Sequence, residues 1–269
     1  MSAIARSAPV AAGLVLAVWA VAAAAPGLLV SAGPDATDVL VALQPPSGPH
    51  PFGTDELGRD VLSRVVHGAR LSLAIGLGAT ALAVAAGLLV GLLAAAGGKH
   101  WDQPLMRAQD VLLAFPELLL ALLVVTVVGS GTANVLVAIG IAAVPTYARL
   151  VRGQALTVMR SGYVEAAAAL GVRRPVIVLR HVLPNVAGPL LVLATVGTGT
   201  AVISGSALSF LGLGAAPPAA EWGAMLSDGR EFLATAWWTA TFPGLAIVSV
   251  VLSVTVLGRS LPGSRGERS

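Results

Sequence analysis

The sequence predicts an all-α integral membrane protein with six transmembrane helices. Composition is the first reason. Of its 269 residues 56% are hydrophobic and only 11% charged, against about 25% charged in a soluble domain, and the mean hydropathy is +0.87. Too little charge is available to cover a water-facing surface. The second reason is six apolar stretches that approach or reach the ~20 residues needed to cross ~30 Å of hydrocarbon. The third is negative: no segment alternates polar and apolar over ~10 residues as a membrane β-strand does. Alanine and glycine are abundant and aromatics form only 4%, which suits helices whose backbones approach closely.

Residues 10–30 form the first predicted span. "AAAAP" at positions 22–26 offers small residues to a signal peptidase, but the apolar run exceeds the usual ~7–15 residues and the proline is a poor cleavage context, so a retained helix is expected. A polar, turn-rich segment follows and ends in "HPFGTDELGRDVLSRVVHGARLSL" at 50–73. Asp60 is a helix N-cap residue. Val61, Leu62, Val65, Val66 and Ala69 then share one face, with Ser63, Arg64 and His67 off it, and Asp60 and Arg64 are spaced to pair. This pattern predicts a short amphipathic helix at the interface, feeding a second span at 71–96. Within that span Gly87 and Gly91 form GxxxG, read as a packing face.

The third span, 111–129, contains Pro116 and Glu117. Proline favours the first helical position and glutamate the first turn. The spacing therefore predicts a helix from near Phe115, preceded by a short interfacial helix. Glu117 is a candidate pathway residue because intramembrane charge is costly. The fourth span, 133–150, carries Pro145, a candidate kink or gate that membrane helices also tolerate for purely structural reasons. Between 149 and 185 lies the most basic stretch. Ser161 is placed to cap "YVEAAAAL", a strong helix former, and Gly171 to terminate it. Pro175 lies near the start, and Pro184 near the end, of a second short helix. Such a helix–Gly–helix element is either a knob for a partner or an amphipathic element on anionic lipid. The fifth span, 187–208, ends in a polar stretch in which Ser206 and Ser209 are candidate pathway or gating residues. The sixth covers 239–257.

Six spans place both termini on one side. That side holds 12 of the 16 basic residues, the other only Arg59, Arg64, Arg70 and Arg230. The positive-inside bias then puts both termini and the 149–180 loop in the cytoplasm. The same bias explains the pI near 10.2 without any nucleic-acid partner. Outside, eight carboxylates face four arginines. Cysteine is absent, which excludes disulfides and thiolate chemistry, and the four histidines show no metal-ligand spacing. "AGGKH" at 96–100 lacks the spacing and hydroxyl of a phosphate-binding loop, so ATP chemistry is not expected on this chain.

"EAAAALGVRRPVIVLRHVLP" resembles the EAA motif of ABC importer permeases. Glu165, Ala166, Ala167, Gly171, Leu183 and Pro184 match it, and His181 replaces the isoleucine of the general pattern, as in the peptide branch. "HPFGTDELGRDVLSRVVHGARLSL", "DVLLAFPELLLAL", "SALSFLGLGAAPP" and "WGAMLSDGREFLATAWWTATFPGLAI" are similar, in order, to segments of the dipeptide, oligopeptide and nickel permeases of C type. The resemblance implies a type I importer fold with a cytoplasmic coupling loop in which Arg173, Arg174 and Arg180 face a partner. It implies a transport subunit that is not an enzyme, with ATP and magnesium on two cytoplasmic ATPase subunits. It further implies a second homologous permease, an extracytoplasmic solute-binding protein, and residence in a bacterial inner membrane. The chain would divide into an N-terminal helix with its turn-rich segment (1–70), a transporter core (71–258) and a cytoplasmic tail (259–269). Two places depart from the family: Gly205 stands where glutamate is common, and the tail lacks an acidic "GDGLRD" pattern. The alternatives are an ion-coupled secondary transporter, for which inverted repeats are missing, and an intramembrane hydrolase, for which no histidine stands near Ser206.

Overall fold

The computed structural model describes residues 3–260; the remainder of the predicted tail, 261–269, lies outside the described residues. The described residues form ten α-helices and no strand ladder. Helix α1 spans Ala3–Ala24 and α2 Val61–Ala96. Helices α3 (Lys99–Leu113) and α4 (Glu117–Val128) are followed by α5 (Thr132–Met159). Short helices α6 (Gly162–Ala169) and α7 (Arg174–Ile177) lead through a π-turn at Val178–Val182 into α8 (Leu183–Phe210). Helices α9 (Trp222–Gly229) and α10 (Trp238–Ser260) complete the bundle. Five continuous helical runs are long and apolar enough to cross a membrane, and α3 with α4 makes a sixth, bent by 94°.

Two ends of the bundle are distinct. At one, the ends of α2 and α5 meet α6 and α7 around Ala95, Met159, Val164 and Arg174; this is the hook end. At the other, residues 31–60 and α9 lie over the helix termini, as in the bonds from Trp238 Nε1 to Thr54 O (3.0 Å) and from Trp222 Nε1 to Val65 O (2.8 Å); this is the cap end. The α3–α4 pair begins beside the hook and ends at the cap, where the Gly131 N–H donates to Leu213 O (2.9 Å). It is therefore a sixth crossing rather than a loop that returns. Its break follows from Pro116, which biases Phe115 away from helical ψ. Helix α4 alone has 12 residues, about 18 Å at 1.5 Å per residue. Helix α3 lies across its start, as the predicted interfacial helix does.

Several boundaries differ from expectation. The first span stops at Ala24 rather than residue 30, because Pro26 cannot extend the hydrogen-bond ladder and opens a 3-10 turn. The amphipathic segment after Asp60 is not a separate helix. It is the first third of α2, whose 36 residues reach about 54 Å, well beyond the hydrocarbon. Division of the chain at residue 70 thus falls inside one helix. Pro184 does not end a helix either. In the π-turn the Leu183 N–H bonds back to Val178 O, so the ladder shifts register just before the residue that lacks a donor. Residues Arg174–Phe210 consequently form one 37-residue run.

Helix α2 is the centre of the bundle and packs most extensively on α5. The GxxxG pair makes this contact close. A Cβ at Gly87 would stand 2.5 Å from Tyr147 Cβ, and one at Gly91 2.7 Å from Ala148 O. A side chain at either position would push the two helices apart.

Candidate functional site

The 161–184 hook hangs from the ends of α5 and α8. Helix α6 starts at Ser161, whose backbone is extended as an N-cap requires, but the hydroxyl turns back to Val158 O (2.5 Å) instead of capping. Along α6 only Val164 is buried; it packs with Ile177, Val182 and Val186 into a cluster shared with α5. Glu165 and Ala166 are exposed, and Ala167 is half-buried. Helix α6 ends in a Schellman turn: Val172 N–H donates to Ala167 O (3.1 Å) and Gly171 N–H to Ala168 O (3.0 Å). Gly171 has φ +81 with nothing near a built Cβ, so backbone conformation rather than space demands glycine there. The turn leaves Leu170 85% exposed at the tip. Tyr163 crosses the gap to His181, with ring centroids 5.9 Å apart. The structure thus brings Glu165, Ala166, Ala167, Gly171, Arg173, Arg174, His181, Leu183 and Pro184 to one end, with Arg173, Arg174 and Pro184 exposed and His181 and Leu183 half-buried.

Arginines of the hook end divide into two groups, which sequence reasoning missed. Arg152 makes a bidentate pair with Asp102, its Nη2 donating to Oδ2 at 2.6 Å, and Arg149 reaches Asp110 at 2.5 Å. These pairs pin α3 across the foot of α5. Asp102 and Asp110 lie eight residues apart on α3, and that spacing was the available signal. The Arg152 guanidinium holds the Asp102 carboxyl below its usual range. Arg173 and Arg180, by contrast, have no carboxylate partner among the described residues, and Arg174 only approaches Ala96 O at 3.5 Å.

Glu117 opens α4 and faces a cavity of about 110 Å³ between α2, α4, α5 and α8, with Thr80, Thr146, Tyr147 and Thr200 also lining it. Pro145 is buried in α5 directly before Thr146. Ser206 and Ser209 are elsewhere, buried at the cap end, and neither hydroxyl has a partner among the described residues. Ser206 lies where α9 crosses α8: a Cβ at Gly223 would stand 2.4 Å from its carbonyl oxygen. Gly205, beside it, has Ile75 Cγ2 2.6 Å from its built Cβ. A side chain at this position would require Ile75 of α2 to shift.

At the cap end the turn-rich segment folds around a buried ionic core. Asp55 accepts from the N–H groups of Leu57 and Arg59 (2.9 Å each) and from Arg59 Nε (2.6 Å), while Arg59 Nη2 donates to Glu56 (2.8 Å). The expected Asp60–Arg64 pair does not form. Asp60 caps α2 through the Ser63 N–H (2.8 Å) and takes His50 as its partner (3.0 Å). Arg64 instead turns inward. It is 3% exposed, 3.6 Å from Asp55, and donates to Pro34 O (3.1 Å) and Pro218 O (3.3 Å). Ser63, also placed off the apolar face, is fully buried and donates to Ala32 O (2.7 Å). The reason is that this part of α2 is covered by the cap, so its polar face meets protein rather than water. Fully buried Glu221 caps α9 through the N–H groups of Gly223 and Ala224 and accepts from Ser72 Oγ (2.9 Å). Two of the eight carboxylates counted as outer charge, Asp55 and Glu221, are thereby buried. Glu56 and Asp228 share a cleft with Arg59 and Arg64, and burial pushes both carboxyls upward. Among the described residues no cluster of three His, Cys, Asp or Glu side chains is placed to hold a metal ion.

Comparison with known proteins adds to this geometry. The chain is 44% identical over 87% of its length, and 77% of the relative's, to a dipeptide transport system permease protein of Alkalihalophilus pseudofirmus. It is 48% identical over 80% of its length, and 71% of the relative's, to a glutathione transport system permease protein of Escherichia coli. The fold matches an inward-facing methionine ABC transporter, MetNI, with a TM-score of 0.60 at 20% identity, covering 73% of this chain and 94% of that one. The profile of one family matches residues 87–262, from the last third of α2 through the end of α10, and so takes in the broken crossing, the hook and α9. With a six-crossing bundle of the same fold and relatives of this identity, the chain belongs to the binding-protein-dependent transport system inner membrane components.

Proposed function

We propose that this permease subunit forms half of the translocation pathway of an ATP-driven importer of short peptides, and that the hook couples it to an ATPase. One observation carries the coupling: α6 is exposed on nearly every residue, rooted by Val164 alone, and joined through one turn to an unbroken 37-residue helical run. A force on the hook is thereby delivered along α8 to the cap end. Unpaired Arg173 and Arg180 supply cations for acidic partner groups. ATP and magnesium would be held by the partner, and the cycle would rock α5 and α8 against a second permease. The bias of basic residues toward the hook end supports a cytoplasmic location for it. The cap then faces a solute-binding protein outside. Peptide cargo rests on the relatives' described substrates, dipeptides and glutathione; nickel has no corresponding ligand cluster among the described residues.

Affinity purification of the transporter from its native membrane tests this reading. An ABC ATPase should co-purify and be lost from Glu165→Lys while the second permease stays bound. A complex without an ATPase, or one that keeps it in Glu165→Lys, overturns the coupling role.

A further inference from the structure

A groove of about 500 Å³ opens on the side of the hook end, between the last turns of α2, the start of α3 and the π-turn. Its floor is Leu89, Leu92 and Leu93, and Leu179 and Trp101 form its walls. Such a surface suits a hydrocarbon chain. Its rim is the opposite in character. Arg174 lines it, and Lys99 opens α3, the helix that supplies the Trp101 wall. The nearby acids of α3 are engaged: Asp102 with Arg152 and Asp110 with Arg149. Neither Arg174 nor Lys99 has a carboxylate partner among the described residues. Depth fits as well. Leu89 lies about 10 Å below Ala96 along α2 at 1.5 Å per residue, and Trp101 is 61% exposed where α2 has just ended. Tryptophan at the end of a span marks the headgroup level.

We propose that this groove binds an anionic phospholipid, with one acyl chain along the α2 leucines and its phosphate on Arg174 and Lys99. Charge complementarity selects the occupant: a protein segment could fill the apolar floor, but a cation lining a hydrocarbon slot, with a second at the start of the adjoining helix, matches an anionic headgroup. The lipid would then bridge α2, α3 and the root of the hook. The proposal needs only that α2 ends at a membrane interface, so it stands or falls separately from the coupling role.

The test uses the purified transporter reconstituted with a small mole fraction of lipid brominated on its acyl chains, as phosphatidylglycerol or as phosphatidylcholine. The Trp101 signal is isolated by subtracting Trp101→Phe. Phosphatidylglycerol should quench Trp101 at about five-fold lower mole fraction, the factor one cation contributes at an anionic surface. Arg174→Gln should abolish most of this preference, Lys99→Gln should reduce it, and Arg107→Gln, on the exposed face of α3, should leave it unchanged. Equal quenching by both lipids means non-selective solvation and overturns the proposal. So does a preference that survives Arg174→Gln in an intact complex. Failure of either lipid to quench means that protein fills the groove, and overturns it too.

Discussion

Single residues at two positions are fixed by different constraints, although both are glycine. Gly205 is excluded from carrying a side chain by Ile75, whose Cγ2 lies 2.6 Å from a built Cβ. Gly171 has open space around it and is fixed only by φ +81. An L-residue forced into that region pays roughly 1–2 kcal/mol, and asparagine suffers least. Valine is worst, being β-branched. Gly171→Val should therefore reopen the Schellman turn and reorient α6 while leaving the six crossings in place, because no core contact is lost. Measured in proteoliposomes, ATP hydrolysis should become insensitive to substrate and uptake should fall to background. Gly171→Asn should retain most uptake. Normal coupling in Gly171→Val would mean that the orientation of α6 does not matter.

At the scale of elements, the sequence and the fold agree where one physical rule acts alone. Apolar length located all six crossings, Pro116 with Glu117 located the broken one, and Gly171 located the hook's turn. Disagreement arose where two rules competed. Residues 61–70 carry a helical amphipathic pattern, which at a membrane surface points the polar face to water. Here the cap supplies partners to that face, and Ser63 and Arg64 are buried by contacts from Ala32 and Pro34, 31 and 30 positions away, and, for Arg64, from Pro218 as well. Such long-range partners leave no local signature. Pro184 was misleading for a similar reason, since a π-turn absorbs the missing donor that ordinarily ends a helix. The cap and α3 should also respond oppositely to acid. Burial raises the carboxyls of Glu56 and Asp228 above their ordinary 4.5 and 3.8, so the folded cap binds protons more readily than the open one. Its stability is then fullest below the ordinary values and falls as pH rises through the raised ones. The Asp102 carboxyl is held below 3.8, so the anchor of α3 is complete above that value and weakens only as pH falls through its lowered range. As pH falls from neutrality through the raised range of these two carboxyls, amide protection corrected for intrinsic exchange should increase in the cap at 53–60 and stay flat in α3. Asp228→Asn should raise cap protection at pH 7 and shrink its pH dependence. Cap protection that decreases as pH falls through that range would show that attraction to Arg59 and Arg64 outweighs burial.

For the whole molecule, the decisive asymmetry is between the two ends. The cap end is drawn together by internal contacts: Arg59 and Arg64 meet Asp55 and Glu56, and Trp222 and Trp238 bond to backbone carbonyls. The hook end is open: it exposes Leu170, Leu179 and unpaired cations, as an element awaiting partners does. Both described ends of the chain lie on that side, because α1 reaches the cap at Trp19, which bonds Ser249 of α10 and packs edge-on against Trp222, and α10 runs back from Trp238. Orientation in the bilayer then follows from charge alone. On the proposed reading, basic residues are retained on the cytoplasmic side, which would turn the hook end toward the ATPases and the cap end outward. The chain has no cysteine, which makes a single introduced thiol an unambiguous reporter. Leu170→Cys, 85% exposed at the hook, and Leu40→Cys, 88% exposed on the cap, both avoid the core and should not disturb folding. In intact spheroplasts a membrane-impermeant maleimide should label Leu40→Cys and spare Leu170→Cys until the membrane is opened. The reverse pattern would invert the molecule, place the hook beyond the reach of any cytoplasmic ATPase, and remove the physical basis for its coupling role.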